Sequence, residues 1–417
     1  MKDAVSAAAS VEDPRRWRML AIVGVGELLA MAPWFSSAAV APLLVAEWRL
    51  DRLGLPALTI AVQFGFAVGA LAIAVTAAAD VLPSRLLFGA GAFAAAAANL
   101  GFAFVARDPA SALPFRVITG LALAGVYPIG LKLLVGWFRR ERGLAIGVLV
   151  GGLTVGSALP YLLRAVGASQ GLDWHATVAA ASVVGIVGGI VVLAGASNGP
   201  WDVPAPRFSV EVARSAYRDA AVRLANLGYL GHMWELYAMW TWVPLFLAAS
   251  FAAAGTHDVT AASLAAFAIV GSGGLGCIVA GLLADRLGRT TLTIAAMAVS
   301  GSSALVIGFA FGGPPILTVL LGIVWGVTVV ADSAQFSAAV SELAPSGTAG
   351  SALAIQMALG FLLTGVTILG VGLLAPGDAN GWRIAFGLLA LGPLVGIVAM
   401  ARLRARPEAI RMANGHR

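Results

Sequence analysis

The chain has 417 residues, of which 60% are hydrophobic and only 11% charged. Its mean hydropathy of +0.92 lies far outside the range of soluble globular domains, so a water-soluble enzyme or binding module is excluded. The net charge of +6 does not indicate a nucleic-acid binder, because the basic residues stand in short loops and tails. The single cysteine, Cys277, excludes an intramolecular disulfide and a cysteine metal site.

The apolar residues form continuous runs of helix length for a bilayer, not the alternating strands of an outer-membrane barrel. The first of them, Met19 to Trp48, is too long for the core of a cleavable signal. Proline, glycine and charge between the runs predict twelve helices at roughly 18–45, 55–79, 84–106, 113–137, 142–165, 174–196, 219–250, 260–284, 290–312, 315–341, 349–374 and 381–403.

The longest polar stretch, 197–218, separates the sixth predicted helix from the seventh. We therefore expect an all-α integral membrane protein made of two six-helix bundles. The N-terminal bundle covers 1–196, a cytoplasmic linker covers 197–218, and the C-terminal bundle with its tail covers 219–417.

Lys and Arg residues are distributed unevenly between the two sides of such a bundle. If the N-terminus is cytoplasmic, nineteen of the 26 basic residues lie inside, five lie outside, and two, Arg116 and Lys132, fall within helices. The inside set includes Lys2, Arg207 and Arg417, and the outside set includes Arg52. The positive-inside rule then places both termini in the cytoplasm, in a bacterial-type inner (cell) membrane.

A charged glycine-turn element occurs at the same place in both halves. The second copy runs from Gly281 to Thr290 and contains Asp285, Arg286, Gly288 and Arg289; the first keeps only Asp80 and Arg85, with Thr76 and Pro83 at its glycine positions. Asp80 and Asp285 are 205 residues apart, and the same offset places Gly69 on Gly274. The repeat predicts two equivalent bundles related by pseudo-two-fold symmetry.

This element resembles the signature G-x-x-x-D-x-x-G-R-[KR] of the major facilitator superfamily, with Thr290 in place of the final base. The resemblance implies a secondary transporter whose two halves rock about a substrate site at mid-membrane. It also implies that the element is a latch between the halves. We expect that role for Asp285, Gly288 and Arg289, and by symmetry for Asp80 and Arg85; ordinary positive-inside loop charges are the alternative.

The fifth predicted helix carries glycines four residues apart, at Gly147, Gly151, Gly152 and Gly156, followed by Pro160. Such a stripe allows helices to approach closely. It is also similar to the glycine-rich fifth-helix motif of the superfamily's antiporters, although the central Gly-Pro pair is missing. Close helix packing is the simpler interpretation.

Charged residues at bilayer depth are costly and therefore candidates for function. Arg116 and Gly120 are similar to the family's fourth-helix motif R-x-x-x-G, in which the arginine is associated with proton handling or an anion. We expect Glu27 to be its acidic partner, with a structural ion pair as the alternative. Lys132 lies sixteen residues further along, roughly 24 Å at 1.5 Å per residue, and either reaches the cytoplasm or lines the inner vestibule.

In the seventh helix, His232 and Glu235 are three residues apart and share a face, which suits proton coupling. A second stripe contains Tyr229, with Asn226, Met233, Tyr237 and Trp240, and suits an aromatic pocket. Asp332 and Gln335 lie in the tenth helix, the repeat partner of the fourth. Symmetry therefore suggests a Lys132–Asp332 pair that forms when the inner mouth closes.

The sequence predicts a monomeric, proton-coupled secondary transporter of a small solute, without a cofactor or an ATP-binding P-loop. Trp34 and the pair Tyr127-Pro128 are diffusely similar to the cyanate and nitrate/nitrite permease branch, which favours a small organic or inorganic anion taken up by symport. A proton-driven exporter of drugs or metabolites is the alternative. A membrane-embedded enzyme is a weaker third, because only His232 and Glu235 offer a catalytic pair.

Overall fold

The computed structural model describes residues 13–51, 53–202, 208–374 and 378–416. Lys2, Arg52, Arg207, Arg417 and linker positions 203–207 lie outside these ranges. The described residues form helices and no strands. Eleven helices are long and apolar enough to cross a membrane, at Gly54–Thr76, Ser84–Phe104, Pro109–Val135, Arg142–Ser169, Trp174–Gly195, Ala220–Ala253, Val259–Leu287, Arg289–Ala310, Pro315–Leu343, Ala349–Leu374 and Ala379–Arg404. The all-α membrane class is confirmed.

We number these helices span 2 to span 12, and span 1 is the stretch Arg15–Trp48. Span 1 was expected to be continuous over 18–45, but it is helical in three pieces, Arg15–Ala30, Ser36–Ala39 and Ala41–Trp48. Pro33 lies in the first break, where its ring and missing N–H oppose a regular helix. The arrangement is that of the expected twelve-span plan.

Three later spans are also interrupted. Span 4 divides into Pro109–Leu123 and Tyr127–Val135, span 10 into Pro315–Val329 and Ser333–Leu343, and span 12 into Ala379–Leu389 and Leu391–Arg404. Such breaks free backbone carbonyls and re-aim side chains within the membrane, where the neighbouring spans must satisfy them. From the sequence, spans 4, 10 and 12 were each expected to be one continuous helix.

Span 1 begins and span 12 ends at the same end of the bundle. The end that carries the start of span 1 is called the basic face, since most of the arginines gather there. On the opposite face an aspartate caps four of the six even-numbered spans: Asp108, Asp173, Asp258 and Asp378 accept backbone N–H groups at spans 4, 6, 8 and 12. The bond from the Ser111 backbone holds the pKa of Asp108 below its usual value.

The two halves are joined most extensively by spans 5 and 8, which cross at glycines. A Cβ built on Gly147 would lie 2.7 Å from the Cys277 carbonyl oxygen, and one on Gly151 would lie 3.0 Å from that of Gly274. Neither contact leaves room for a side chain. On the other side of span 5, Gly156 packs closely against span 1, because a Cβ built on it would lie 2.1 Å from the Leu28 carbonyl oxygen. The glycine stripe of span 5 is therefore packed along its length.

The described ends of the linker both lie against a bundle. The Trp137 indole donates to the Ser197 carbonyl at 2.8 Å, which places the start of the linker under span 4. Beyond the gap, the short helix Val210–Ala216 follows Ser209, whose backbone N–H donates to Ser351 Oγ at the start of span 11.

Candidate functional site

A cavity of about 700 Å³ lies between the two halves and opens at the basic face. Its volume is in the range of small-molecule sites. Spans 4 and 7 provide most of the deep wall, with Tyr127, Tyr229, Tyr237 and Trp240, and spans 10 and 11 add Gln335, Gln356 and Phe361. The cavity therefore combines aromatic faces with a few uncharged hydrogen-bonding groups at its deep end, away from the basic face.

Aromatic side chains from both halves pack together and close the cavity toward the opposite face. Trp34 lies 4.8 Å from Phe66 and 5.7 Å from Tyr237, measured between ring centroids. Phe361 lies 4.4 Å from Phe66 and 5.1 Å from Tyr237. These four rings form what we call the aromatic plug. Because the plug joins spans 1 and 2 to spans 7 and 11, the halves must separate here for the cavity to open on the other side.

The mouth of the cavity at the basic face carries charged residues that are mostly paired. Lys132 Nζ lies 2.6 Å from Asp80 Oδ1 and also bonds the Ala79 carbonyl oxygen. Arg289 holds Glu342 through two bonds, of 2.7 and 2.5 Å. Arg142 donates to the Phe138 carbonyl oxygen at 2.7 Å, and no carboxylate of the described chain lies within ion-pair distance of it. Lys132 also lies 3.9 Å from Asp202, and Arg289 lies 3.5 Å from Asp285, so Arg142 is the one cation of the described lining without a carboxylate partner.

The expected pairing of Arg116 with Glu27 is wrong. Arg116 is fully buried, and its guanidinium bonds the Trp34 carbonyl oxygen at 2.6 Å, Asn99 Oδ1 at 2.9 Å and Ser36 Oγ at 3.1 Å. The break in span 1 frees the carbonyls that meet this cation, at the end of a helix where a positive charge is favoured. Arg116 therefore fastens the broken part of span 1 to spans 3 and 4, outside the cavity lining.

Glu27 is fully buried, and neither carboxylate oxygen has a hydrogen-bond partner among the described residues. A Cβ on Gly130 would lie 2.7 Å from Glu27 Oε2. Gly130 belongs to the part of span 4 whose neighbours Tyr127 and Leu131 line the cavity. The carboxyl group therefore lies directly behind the cavity wall.

His232 and Glu235 share a face of span 7, as predicted, but that face points into the C-terminal bundle and away from the cavity lining. Glu235 accepts from the Trp325 indole at 2.7 Å and from Ser300 Oγ at 2.8 Å. His232 Nδ1 lies 2.8 Å from Asp332 Oδ1, close enough for an ion pair but not aligned as a hydrogen bond. The aromatic stripe of span 7 is the one that faces the cavity.

The Lys132–Asp332 pair that symmetry suggested is not formed in this conformation. Lys132 is held by Asp80 of its own half, and Asp332 lies beside His232 with only 1% of its surface exposed. The break in span 10 places Asp332 at the start of Ser333–Leu343 and turns its side chain into the bundle. Lys132 itself lines the vestibule, which was one of the two positions predicted for it.

The two copies of the loop element differ in their contacts. Gly288 has φ of 86°, a conformation that favours glycine, and it ends span 8 immediately before Arg289. A Cβ on Gly143 would lie 3.6 Å from Asp285 Oδ2, so this carboxylate is near the first turn of span 5. In the other copy Asp80 pairs with Lys132, and Arg85 is exposed without a partner in the described chain.

Several hydrogen-bond and ion-pair partners of the candidate residues were not predicted from the sequence. Glu342 binds Arg289, Asn99 binds Arg116, and Ser300 and Trp325 bind Glu235. Asn99 could have been noticed, because it is the only strongly polar residue in the long alanine-rich run of span 3. The others lie far away in the sequence, and no local pattern connects them with their partners.

Comparison with known proteins supports a transporter rather than an enzyme. Residues 23–366 match the Major Facilitator Superfamily. The chain is 24% identical over 280 residues to the MFS transporter asaE of Aspergillus flavus, covering 66% of this chain and 62% of that protein. It is 28% identical over 178 residues to the MFS-type transporter pytF of Aspergillus terreus, covering 42% of this chain and 56% of that protein. The chain thus spans less than two thirds of the length of either relative.

Solved structures share the fold at low identity. A D-xylose-proton symporter superposes with a TM-score of 0.74 at 14% identity, covering 95% of this chain and 99% of that one. The nucleoside transporter NupG superposes with a TM-score of 0.70 at 14% identity, covering 92% and 99%. Together with the match over most of its length, the twelve-span plan and the central cavity show that this chain belongs to the Major Facilitator Superfamily.

Proposed function

We propose that this transporter carries a small organic anion with a flat, apolar body, by alternating access and together with protons. The observation that carries the proposal is the composition of the cavity. The deep end of the cavity is aromatic and uncharged, and its mouth holds Arg142 without an acidic partner in the described chain. Aromatic faces bind a flat apolar body, and a guanidinium without a carboxylate partner attracts an anion.

A small inorganic anion, such as the substrates of the cyanate and nitrate/nitrite branch, fits the cavity less well. Arg116, the arginine deepest in the membrane, is engaged by carbonyls and Asn99 and is absent from the cavity lining. At the deep end of the cavity a compact anion would contact aromatic rings instead of cationic donors. Arg142 can attract an organic acid at the mouth, and the ring of that acid can then bind deeper in the cavity, among Tyr237, Trp240 and Phe361.

Glu27 is the group that we propose for proton coupling. An ionised carboxylate buried without one hydrogen-bond donor costs several kcal/mol, so Glu27 holds a proton in this conformation. It lies behind the cavity wall formed by Tyr127 and Leu131, on a span that is broken only a few residues later. Separation of the aromatic plug would move that broken part of span 1, and water reaching Glu27 would then allow the proton to leave.

One specific observation favours the alternative of a metabolite or drug exporter. The aromatic faces of Tyr237, Trp240 and Phe361 would also attract a lipophilic cation. The unpaired guanidinium of Arg142 at the mouth opposes the entry of a cation. The two proposals predict opposite charges for the substrate, and a flux assay separates them.

The test uses purified protein in liposomes with an imposed pH gradient and a pH-sensitive dye inside. We expect aromatic carboxylates such as benzoate to evoke proton flux, and tetraphenylphosphonium or a neutral sugar to evoke none. Benzoic acid crosses bilayers unaided, so flux is counted only above protein-free liposomes and with a permanently charged aromatic sulfonate as a second probe. Flux evoked by tetraphenylphosphonium alone would establish the exporter and reject the anion proposal.

Two variants locate the coupling group. Glu27→Gln is expected to abolish proton movement while substrate exchange persists, because the amide fills the same volume and cannot titrate. Glu235→Gln is the matched comparison, since Glu235 is equally buried but satisfied by Trp325 and Ser300 outside the cavity. Proton flux unchanged in Glu27→Gln and lost in Glu235→Gln would transfer the coupling role to the C-terminal bundle.

A further inference from the structure

A second cavity lies on the outside of the C-terminal bundle, at the basic face between spans 7, 11 and 12. It has a volume of about 660 Å³. None of its lining residues also lines the transport cavity. It is therefore separate from the proposed substrate pathway and requires its own explanation.

The rim of this cavity is strongly basic. Arg223 in the first turn of span 7, Arg402 in the last turn of span 12 and Arg406 just beyond it all line the cavity, whose lining contains no acidic residue. Arg223 is held in place by bonds from its guanidinium to the carbonyl oxygens of Tyr217 and Arg218, at 3.0 and 2.7 Å. Both bonds use Nη1, and Nε and Nη2 make no hydrogen bond within the described chain.

Counter-charge on the protein does not account for this rim. Arg406 is neutralised by Glu408, with Nη2 and Oε1 3.0 Å apart, and this bond holds the pKa of Glu408 below its usual value. Arg402 has no hydrogen-bond or ion-pair partner among the described residues. Arg223 and Arg402 therefore leave two positive charges that the described chain does not balance.

The floor of the cavity is apolar and continuous with the membrane-facing surface. Leu227 lies one turn deeper than Arg223 and is 44% exposed, and Leu359 of span 11 is 45% exposed. Ile355 lies between them on the same wall. A free phosphate would use the arginines and leave this floor bare, whereas a phospholipid uses both parts.

We propose that this cavity binds one anionic phospholipid, with its phosphate between Arg223 and Arg402 and its acyl chains along Leu227 and Leu359. Basic pockets between spanning helices at the membrane surface are suited to such headgroups. Arg presents planar donors that match phosphate oxygens, and a headgroup held this way joins span 7 to span 12. The bound lipid would brace the C-terminal bundle as the two halves move.

The test measures lipid retention, not transport, and so is independent of the proposed substrate. Purified protein in detergent is incubated with equal amounts of phosphatidylglycerol and phosphatidylcholine of identical acyl chains, and bound lipid is counted by native mass spectrometry. We expect one phosphatidylglycerol per chain, with at least fivefold less phosphatidylcholine. Arg223→Gln/Arg402→Gln should lose that retention at least fivefold.

The control Arg18→Gln/Arg214→Gln removes the same charge from exposed positions of the basic face and should retain the lipid. Arg223→Lys/Arg402→Lys keeps the charge and should retain part of it. All variants are compared at the same elution volume in size exclusion, and a misfolded glutamine variant is replaced by the single Arg402→Gln. Equal retention of both lipids, or full retention by the glutamine variant, would overturn the proposal. Displacement of the lipid by millimolar inorganic phosphate would assign the cavity to a free anion instead.

Discussion

Arg116 gives the sharpest test of how the membrane-embedded charges are used. Its guanidinium bonds the Trp34 carbonyl oxygen at 2.6 Å, Asn99 Oδ1 at 2.9 Å and Ser36 Oγ at 3.1 Å. Ser36 and Asn99 also bond each other at 2.7 Å, so they keep a partner when the arginine is removed. The loss that remains is that of the Trp34 carbonyl and of the packing of the Arg116 side chain.

A hydrogen bond from a charged donor contributes about 1.5–3 kcal/mol, and a buried carbonyl deprived of its donor costs about 1–3 kcal/mol. Relief from burying a cation without an acidic partner offsets part of this loss. We therefore expect Arg116→Met to lower stability by about 2–3 kcal/mol. The matched control is Arg164→Met, because Arg164 is also nearly buried but makes only one long bond, 3.5 Å to the Leu172 carbonyl oxygen.

The assay heats detergent-purified protein and measures the folded fraction by fluorescence-detected size exclusion. A second measurement follows the pH dependence of substrate-evoked flux in the Arg116→Met protein that does fold. We expect reduced thermal stability, well beyond that of Arg164→Met, with an unchanged pH profile. An Arg116→Met protein as stable as the parent, but with proton flux uncoupled from the substrate, would show that this arginine handles protons and would refute its structural role.

Two further predictions concern packing and the loop element. Gly326→Ala should destabilise the protein by about 1–3 kcal/mol, because the added Cβ would lie 1.8 Å from the Ile269 carbonyl oxygen and force spans 8 and 10 apart. Gly387→Ala, where nothing lies within 4 Å, should not, and equal melting of the two variants would contradict this account. Arg289→Gln and Glu342→Gln should be non-additive in thermal unfolding, with a coupling of about 1 kcal/mol; simple additivity would mean that their two bonds contribute nothing.

Much of the architecture was accessible from the sequence because hydropathy in a bilayer is a strong constraint. Continuous apolar runs indicated the spans, and the recurrence of Asp80 and Asp285 indicated two related halves. The breaks were less accessible, although Pro33 was a visible signal for the break in span 1. The interruption of span 10 at Val330–Asp332 carries no proline or glycine, and packing against the neighbouring spans decides it.

The site was predicted less well, for a physical reason. Pairing opposite charges joined Arg116 to Glu27, but a buried arginine can also be satisfied by carbonyl oxygens, which the sequence does not display. Repeat symmetry suggested a Lys132–Asp332 pair for the state in which the inner mouth is closed. In this conformation, which is open at the basic face, Lys132 contacts Asp80 and Asp332 contacts His232, so that pair stays a prediction. Tyr229, Met233, Tyr237 and Trp240 of the predicted stripe line the cavity, because helical periodicity places them on one face, whereas Asn226 lines the second cavity instead.

If the two halves rock about this cavity, the end closed by the aromatic plug must open during each transport cycle. Ile60 and Gly365 face each other near that end, and a Cβ on Gly365 would lie 3.4 Å from Ile60 Cγ2. Cysteines at both positions, in a Cys277→Ser background, are therefore within disulfide reach. The measurement is substrate-evoked flux in liposomes before oxidation, after oxidation and after reduction. We expect normal flux before oxidation, no flux after oxidation and recovery after reduction. Full flux with the disulfide formed would show that transport does not require this end to open.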